Sequence, residues 1–298
     1  MADASAPIAS ALARATAAGC PPHLGLMHLL MAAPSEAAAR DALRDAVAAQ
    51  PDEAARTRLA AVERCWAERP HAWSTIHDVL AQARHDAHAL SPQAAVAEWA
   101  GVFDSLAASA PDAGVALYGL GDPALTAQVS RELVDALQRW GALRANAIVL
   151  DFGCGVGRLS ALIAPRCRRL LGLDVSAGMV AEARRRCAAL PNAAFAQANG
   201  RDLEGVANAS IDLALAVDVF PYLVQAGGDL APRMVDELAR TLAPGGRLVL
   251  ANLSYRGDDA RDAHDLAAWA TAAGLTLDGE PDRPFTLWDG LVFRLRKA

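Results

Sequence analysis

The stretch VLDFGCGVGRLS, residues 149–160, places three glycines at alternate positions between an apolar run and an amphipathic run. The apolar run predicts a buried strand and the amphipathic run predicts a helix. Gly153, Gly155 and Gly157 would let the backbone turn sharply and lie close to a ligand. The N–H groups at the start of the helix add partial positive charge. The stretch therefore predicts a ligand-binding loop between a strand and a helix.

An acidic residue ends the next apolar run, at Asp174, seventeen residues after Gly157. A carboxylate in that place is positioned to accept hydrogen bonds from ribose hydroxyls. The glycine loop and Asp174 together predict a nucleoside site at the carboxyl ends of two neighbouring strands.

A nicotinamide site is the competing interpretation because it uses the same architecture. Its pattern is GxGxxG, whereas the third glycine here comes one residue early. Asp151 would also repel the two phosphates of a dinucleotide, while it suits a cationic ammonium. These two features favour a cationic nucleoside ligand and leave the nicotinamide alternative open.

The chain from residue 147 alternates between short apolar runs and helical patterns, which predicts an α/β fold with helices on both faces of a parallel sheet. The last two strands have no helix between them, so we expect them to pair antiparallel at one edge. The predicted strands are residues 147–152, 169–174, 193–198, 211–220, 247–255, 275–280 and 285–297.

The first 112 residues have a different pattern: alanine-rich segments separated by prolines, which predicts a series of helices. Val96, Trp99, Phe103 and Leu106 share one helical face. Residues 113–122 predict a glycine-containing linker, followed by a helix with its cap at Asp122. We therefore predict a helical region at 1–112 and an α/β domain at 113–298. The helical region would cover the substrate pocket or form the interface of a homodimer.

Composition excludes several functional classes for the 298-residue chain. A net charge of -6 argues against general affinity for nucleic acid or anionic membranes. The five cysteines form no CxxC pair, which fits a reducing, cytoplasmic setting. His77, His85 and His88 follow one predicted helix without a cysteine or carboxylate at ligand spacing, so we expect solvent-facing histidines and no metal site.

Four stretches in order, VLDFGCGVGRLS, LLGLDVS, IDLALAVDVFPYL and LAPGGRLVL, resemble the successive motifs of class I S-adenosylmethionine-dependent methyltransferases of the small-molecule type. The resemblance runs from about residue 147 to about residue 255 and leaves residues 1–112 outside it. It implies a Rossmann-like sheet of seven strands with an antiparallel last strand. It also implies S-adenosyl-L-methionine as cofactor and methyl transfer to a nitrogen or oxygen of a small-molecule acceptor.

The resemblance assigns roles to residues around the loop. The glycines would line the methionine part of the cofactor, with Asp151 beside its amino group. Asp174 would hold the ribose hydroxyls and Val175 would border the adenine. The family often has an acidic residue after the third strand for the adenine amino group; here Asn199 stands in that place, with Asp202 as the alternative. The full predicted cofactor set is Tyr118, Asp151, Gly153, Cys154, Gly155, Gly157, Asp174, Val175, Asn199, Gly200, Val217 and Asp218.

Two residues, Cys154 and Tyr118, are included in this set because of their local sequence. Cys154 is interpreted as a small residue that fits a tight turn, since nothing marks it as a nucleophile. Tyr118 lies in the stretch LYGLGD, directly before the helix that leads into the first strand, and little chain separates it from the loop.

The predicted chemistry needs few catalytic groups because a sulfonium methyl is already activated. The protein would mainly align the acceptor and exclude water, and an oxygen acceptor would also need a base near its proton. The candidates are Asp218, Tyr222, Tyr255 and His264. Two other classes stay open: a nicotinamide-dependent reductase, and a non-catalytic cofactor-binding or interaction protein in which the helical region is the working part.

Overall fold

The structure, a computed structural model, describes residues 5–83 and 90–298. The helices of the first half are α1 Ser5–Thr16, α2 Pro22–Ala32, α3 Glu36–Ala49, α4 Glu53–Ala67, α5 Ala72–Gln82, α6 Pro92–Ser109, α7 Pro111–Val115 and α8 Pro123–Arg139. Three of them, α3, α4 and α6, begin at capping residues that the sequence supplies: Ser35, Asp52 and Ser91 each accept a hydrogen bond from a backbone N–H of the following first turn.

The described residues form two compact units. The first, the helical unit, contains residues 5–83, 112–129 and 285–289, and its core includes Leu29, Leu59 and Trp66. The second, the sheet unit, contains residues 90–111, 130–284 and 290–298.

The sheet unit is built on seven strands with connecting helices. Strand order is β3-β2-β1-β4-β5-β7-β6, with β7 antiparallel to β5 and to β6 and the other pairs parallel. This is the predicted Rossmann-like sheet with its antiparallel last strand. The elements are β1 Ile148–Phe152, α9 Arg158–Ile163, β2 Arg169–Asp174, α10 Ala177–Arg186, β3 Ala193–Gln197, β4 Ile211–Val217, α11 Phe220–Ala226, α12 Leu230–Thr241, β5 Leu242–Ala251, α13 Asp259–Ala272, β6 Leu275–Leu277 and β7 Val292–Lys297.

The order of the strands reverses between β1 and β4, because the chain runs outward from β1 through β2 and β3 before it returns to β4. Open α/β sheets bind ligands in the crevice outside the carboxyl ends of the strands at such a reversal. The glycine loop follows β1 directly, so the fold places it in this crevice.

Helix α6 belongs to the sheet unit, although the predicted boundary near residue 112 grouped it with the earlier helices. Ala95 is fully buried in the same apolar core as Leu150 and Phe220. The predicted apolar face of this helix indicated that it is buried, but a periodic pattern does not identify the partner.

Several predicted boundaries were wrong. The fifth strand covers Leu242–Ala251 rather than 247–255, and the sixth ends at Leu277 rather than at 280. The fourth strand ends at Val217, three residues early, since Asp218 takes a left-handed conformation with φ 57° and α11 begins at Phe220. The last strand begins at Val292 rather than at 285, because residues 285–289 bond to the helical unit: the Leu287 carbonyl lies 2.7 Å from a ring nitrogen of His23. Residues 113–122 are not a plain linker, since they contain the end of α7 and a short 3-10 turn at Leu117–Gly119.

The predicted cap of α8 is confirmed. Asp122 caps α8 by accepting from the backbone N–H groups of Ala124 at 2.9 Å and Leu125 at 3.3 Å. Across residues 5–83 and 90–298, the helices include none with the length and apolar character that a membrane crossing requires.

Candidate active site

The loop after β1 has the backbone conformation that the glycines predict. Gly153, Gly155 and Gly157 have φ values of 72°, 52° and 74°, which L side chains rarely adopt. A Cβ at Gly153 would also lie 2.6 Å from Cγ2 of Val219, just beyond β4. The loop therefore lies against the segment after β4, and glycine is required at this position for space as well as for conformation.

Asp174 joins the loop to the end of β2. Its Oδ2 accepts a hydrogen bond from the backbone N–H of Gly155 at 2.8 Å, and its Oδ1 accepts one from the N–H of Ser176 at 2.9 Å. Burial raises the pKa of this carboxyl above its ordinary value, while the two N–H groups oppose that shift. Both oxygens are thus fixed in direction at the edge of the crevice.

Asp151 is buried at the end of β1 with 2% of its surface exposed. Its Oδ2 accepts a hydrogen bond from the hydroxyl of Ser160, on α9, at 2.5 Å. Burial raises the pKa of Asp151 to about 6, and the Ser160 hydroxyl and the charge of Arg158 partly offset that rise. A buried carboxylate with a raised pKa is one that a bound cation would stabilise.

Cys154 is buried within the loop. Burial and the nearby carboxylates of Asp151 and Asp174 raise the pKa of its thiol well above the ordinary value. The thiol stays protonated at neutral pH, which agrees with a small residue that fits the turn and not with a nucleophile.

The residues predicted to surround the adenine lie at the ends of β2 and β3. A Cβ at Gly200 would lie 3.0 Å from Cγ1 of Val175, so these two residues are neighbours. The Asn199 amide oxygen accepts from the backbone N–H groups of Arg201 at 2.8 Å and Asp202 at 3.1 Å, and its amide nitrogen donates to Asp202 at 2.7 Å. Those two bonds occupy both lone pairs of the oxygen, which in this arrangement leaves neither for an adenine amino group. The adenine role of Asn199 stays a prediction.

The carboxyl end of β4 carries Val217 and Asp218, the residues predicted to face the reacting part of the cofactor. Asp218 Oδ1 accepts from the Asn252 amide at 2.7 Å and from the Tyr255 hydroxyl at 3.1 Å. Asn252, just after β5, has φ 61°, so two neighbouring strands both end in a left-handed residue other than glycine. Such strain persists where the surroundings hold it, and it concentrates at functional sites.

An aromatic cluster surrounds Tyr222 on α11. Its ring meets those of Trp99, Phe103 and Tyr255 edge to face, with centroids 4.5, 5.2 and 6.3 Å away. Burial first, and the charge of Asp218 second, raise the pKa of the Tyr222 hydroxyl above its ordinary value. Tyr222 therefore remains protonated and is unsuited to act as a base.

Two further predicted site residues are His264 and Tyr118. His264 is exposed on α13, on the opposite side of the helix from the buried face formed by Asp262, Leu266 and Ala270. Tyr118 belongs to the helical unit, where its ring packs 5.9 Å from that of Trp288. The roles of both residues in the site stay predictions.

The sequence predicts no metal site and three solvent-facing histidines. In the ranges 5–83 and 90–298, His, Cys, Asp and Glu side chains form no group of three that could hold a metal ion. His77 bonds to the carbonyl of Leu30 at 3.0 Å and stacks on Trp73, so it does not simply face solvent as expected. His85 and His88 lie outside the described residues.

Comparison with known proteins identifies the fold around this site. Residues 149–246 match the model of a methyltransferase domain. Residues 149–246 therefore form a class I S-adenosylmethionine-dependent methyltransferase domain.

Two relatives match this domain in alignments that cover less than half of this chain and less than half of the relative. The chain is 42% identical over 123 residues to a trans-aconitate 2-methyltransferase of Methylobacterium nodulans, covering 41% of this chain and 43% of the relative. It is 36% identical over 127 residues to a malonyl-[acyl-carrier protein] O-methyltransferase of Enterobacter lignolyticus, covering 43% and 47%. The chain thus spans less than half the length of the curated relatives it matches.

A solved structure supports the fold of the domain. Phosphoethanolamine N-methyltransferase 1 of Haemonchus contortus, in complex with phosphoethanolamine and S-adenosylhomocysteine, superposes with a TM-score of 0.56 at 14% identity. The match covers 70% of this chain and 50% of the other. S-adenosylmethionine is the cofactor that goes with this methyltransferase domain.

Sequence reasoning missed two residues that bond at the ends of β4 and β2, where predicted site residues lie. Asn252 lies in the predicted fifth strand and carries no motif, yet its amide bonds to Asp218 and its oxygen accepts from the N–H of Leu291 at 2.9 Å. Asp104, on α6, bonds to Ser176 at 2.6 Å. Asp104 carried no signal because its partner is 72 positions away in sequence.

Replacing Asp174 by Ala should weaken S-adenosylhomocysteine binding at least about tenfold. The variant would lose the predicted hydrogen bonds from the ribose hydroxyls, and bonds to a charged group contribute about 1.5–3 kcal/mol each. Titration calorimetry on the variant and on Asp229→Ala, a control at an exposed carboxylate before α12, measures the difference. An unchanged dissociation constant for Asp174→Ala would mean that the ribose is held elsewhere.

Asp151 should make stability depend on pH in a direction that its pKa fixes. The folded pKa of about 6 lies above the unfolded value of about 3.9, so the folded state holds an extra proton between them and loses that stabilisation as pH rises. Asp151→Asn does not titrate, so its free energy of unfolding should rise relative to the parent by about 2 kcal/mol between pH 4.5 and 7.5.

Urea unfolding at the two pH values measures this difference, with Asp135→Asn, on the exposed side of α8, as the control for loss of a charge. The same Asp151→Asn variant should bind S-adenosylhomocysteine more weakly, because it lacks the charge beside the cofactor's amino group. A parent and variant whose stabilities change in parallel between pH 4.5 and 7.5 would contradict the raised pKa.

Proposed function

We propose that the chain transfers the methyl group of S-adenosylmethionine to a nitrogen or oxygen of a small-molecule acceptor. The observation that carries this proposal is the Asp174 carboxylate, fixed by the N–H groups of Gly155 and Ser176 at the strand-order reversal of a methyltransferase domain. In that place it offers acceptors to a ribose, and the loop offers a surface without side chains to the rest of the cofactor.

The polar groups of the site suit the charges of S-adenosylmethionine. The cofactor carries an ammonium, a sulfonium and a ribose diol, and when bound it supplies an activated methyl group. Asp151 would neutralise the ammonium in a buried place, and Asp174 would accept from the diol. A pyrophosphate in the loop would meet repulsion from Asp151, which argues against the reductase alternative.

The acceptor would lie beside Asp218 and the aromatic cluster. Trp99 and Phe103 from α6, with Tyr222, form an apolar surface that excludes water from the acceptor. Asp218 is the only charged group among these residues and would take a proton from an oxygen acceptor. The Asn252 amide and the Tyr255 hydroxyl hold its Oδ1 in one direction.

The relatives favour oxygen as the first acceptor class to test. One is named for trans-aconitate, an organic acid, and the other is named a malonyl-[acyl-carrier protein] O-methyltransferase. A cytoplasmic location agrees with the free thiols of all five cysteines. Association into a homodimer through the helical unit is a further part of the proposal.

The activity test uses methyl-labelled S-adenosylmethionine, the full chain and three acceptor pools: organic acids, phenols and primary amines. We expect label in one pool and an equal amount of S-adenosylhomocysteine. With that acceptor, Asp218→Asn should lower kcat by about 10²–10⁴ if a proton leaves during transfer. It should retain S-adenosylhomocysteine binding, because asparagine tolerates the left-handed conformation.

Tyr255→Phe is the comparison variant: it removes a hydroxyl that donates to Asp218 but keeps the Asp218 carboxylate, so its effect on kcat should be much smaller than that of Asp218→Asn if Asp218 is the base. Binding of S-adenosylhomocysteine without label transfer to any of the pools would instead favour a non-catalytic, cofactor-binding protein. Stabilisation by NADH without binding of S-adenosylhomocysteine would overturn the proposal.

A further inference from the structure

Helix α6 is bonded to the start of α10 through one side chain. Asp104 Oδ1 accepts a hydrogen bond from the Ser176 hydroxyl at 2.6 Å and another from the backbone N–H of Gly178 at 2.8 Å. A Cβ at Gly178 would lie 3.1 Å from the Cβ of Ala107, so the two helices are in close contact here. An aspartate of α6 thus occupies the amino-terminal end of α10, where a negative charge is stabilising.

The same serine continues the connection to the cofactor loop. The Ser176 hydroxyl oxygen accepts from the N–H of Met179 at 3.0 Å, as the cap of α10, while the Ser176 N–H donates to Asp174. Asp174 in turn holds the N–H of Gly155. An unbroken series of hydrogen bonds therefore runs from Asp104 on α6 through Ser176 and Asp174 into the glycine loop.

Helix α6 also contacts the segments that follow two further strands. A Cβ at Gly200, after β3, would lie 2.4 Å from Cγ1 of Val96, so Val96 packs directly on that glycine. Trp99 packs edge to face on Tyr222, after β4. With Asp104 at the end of β2, α6 reaches the carboxyl ends of three strands, and the site is bounded by a helix outside the matched methyltransferase segment.

We propose that Asp104 is a positioning residue for the cofactor site: by holding Ser176 it orients the Asp174 carboxylate, so that the cofactor binds tightly only when α6 is docked. Asp104 does not touch the cofactor in this scheme. The inference rests on the proposed function in one respect, that Asp174 binds the ribose. It goes beyond that function by making a helix before the methyltransferase domain part of the binding equilibrium.

Three single variants of the full chain test the proposal by titration with S-adenosylhomocysteine. Asp104→Ala loses both hydrogen bonds, and its dissociation constant should rise about tenfold. Asp104→Asn keeps an oxygen that accepts both bonds, and it should stay within about threefold of the parent. Glu98→Gln removes a charge from an exposed position of the same helix and should match the parent.

A double variant separates positioning from general stability. If Asp104 acts through Ser176, Asp104→Ala in a Ser176→Ala background should weaken binding no further than Ser176→Ala alone. Melting temperatures are recorded for each variant, and a loss of stability without a change in affinity would contradict the proposal. Additive effects of the two substitutions would contradict it as well. Should Asp104→Ala not fold, Ser176→Ala carries the same expectation of a tenfold loss and the same contradiction if affinity is unchanged.

The parent protein distinguishes the two ways in which this experiment could fail. A parent that does not bind S-adenosylhomocysteine would overturn the proposed function itself. A parent that binds it, with an Asp104→Ala variant of equal affinity, would overturn only the positioning role.

Discussion

The arrangement of the site depends on the hydrogen bonds that the Asp174 carboxylate accepts. Its two oxygens bind N–H groups from two segments, the loop after β1 and the turn into α10. A neutral side chain of the same shape would leave one N–H facing another donor, at a cost of about 1–3 kcal/mol for an unsatisfied buried group. The conformation of the glycine loop, the direction of Asp174 and the contact with α6 through Ser176 are therefore one connected feature.

A second constraint shapes the opposite side of the crevice. Asp218 and Asn252 both adopt left-handed conformations that cost of order 1 kcal/mol or more, and each holds the other through a side-chain hydrogen bond. Asn252 also binds the N–H of Leu291, before β7, so the antiparallel edge of the sheet supports the end of β4 indirectly. The Asp218 carboxylate is thus held in one direction by its neighbours, and if it serves as the base of the proposed transfer, this lowers the ordering cost of the reaction.

The sequence was sufficient for those parts of the structure that depend on local pattern. The three glycines after the first apolar run predicted the loop, and the aspartate at the end of the second apolar run predicted the role of Asp174. Both predictions depend only on where a strand ends, which the local sequence pattern shows. Pairings between distant segments were out of reach: Asp104 meets Ser176 across 72 positions, and Asn252 meets Asp218 across 34. The end of β4 was misplaced because Val219 and Phe220 have strand-like side chains, and only the tertiary contacts of Asp218 decide its left-handed backbone.

A structure of the full chain with S-adenosylhomocysteine is the most direct test of the claim that the crevice around Asp174 is a methyl-donor site. We expect ribose hydroxyls within hydrogen-bond distance of both Asp174 oxygens, the amino group on the Asp151 side of the glycine loop, and the sulfur near Asp218. A ligand bound elsewhere, or a ribose whose hydroxyls contact residues other than Asp174, would contradict it.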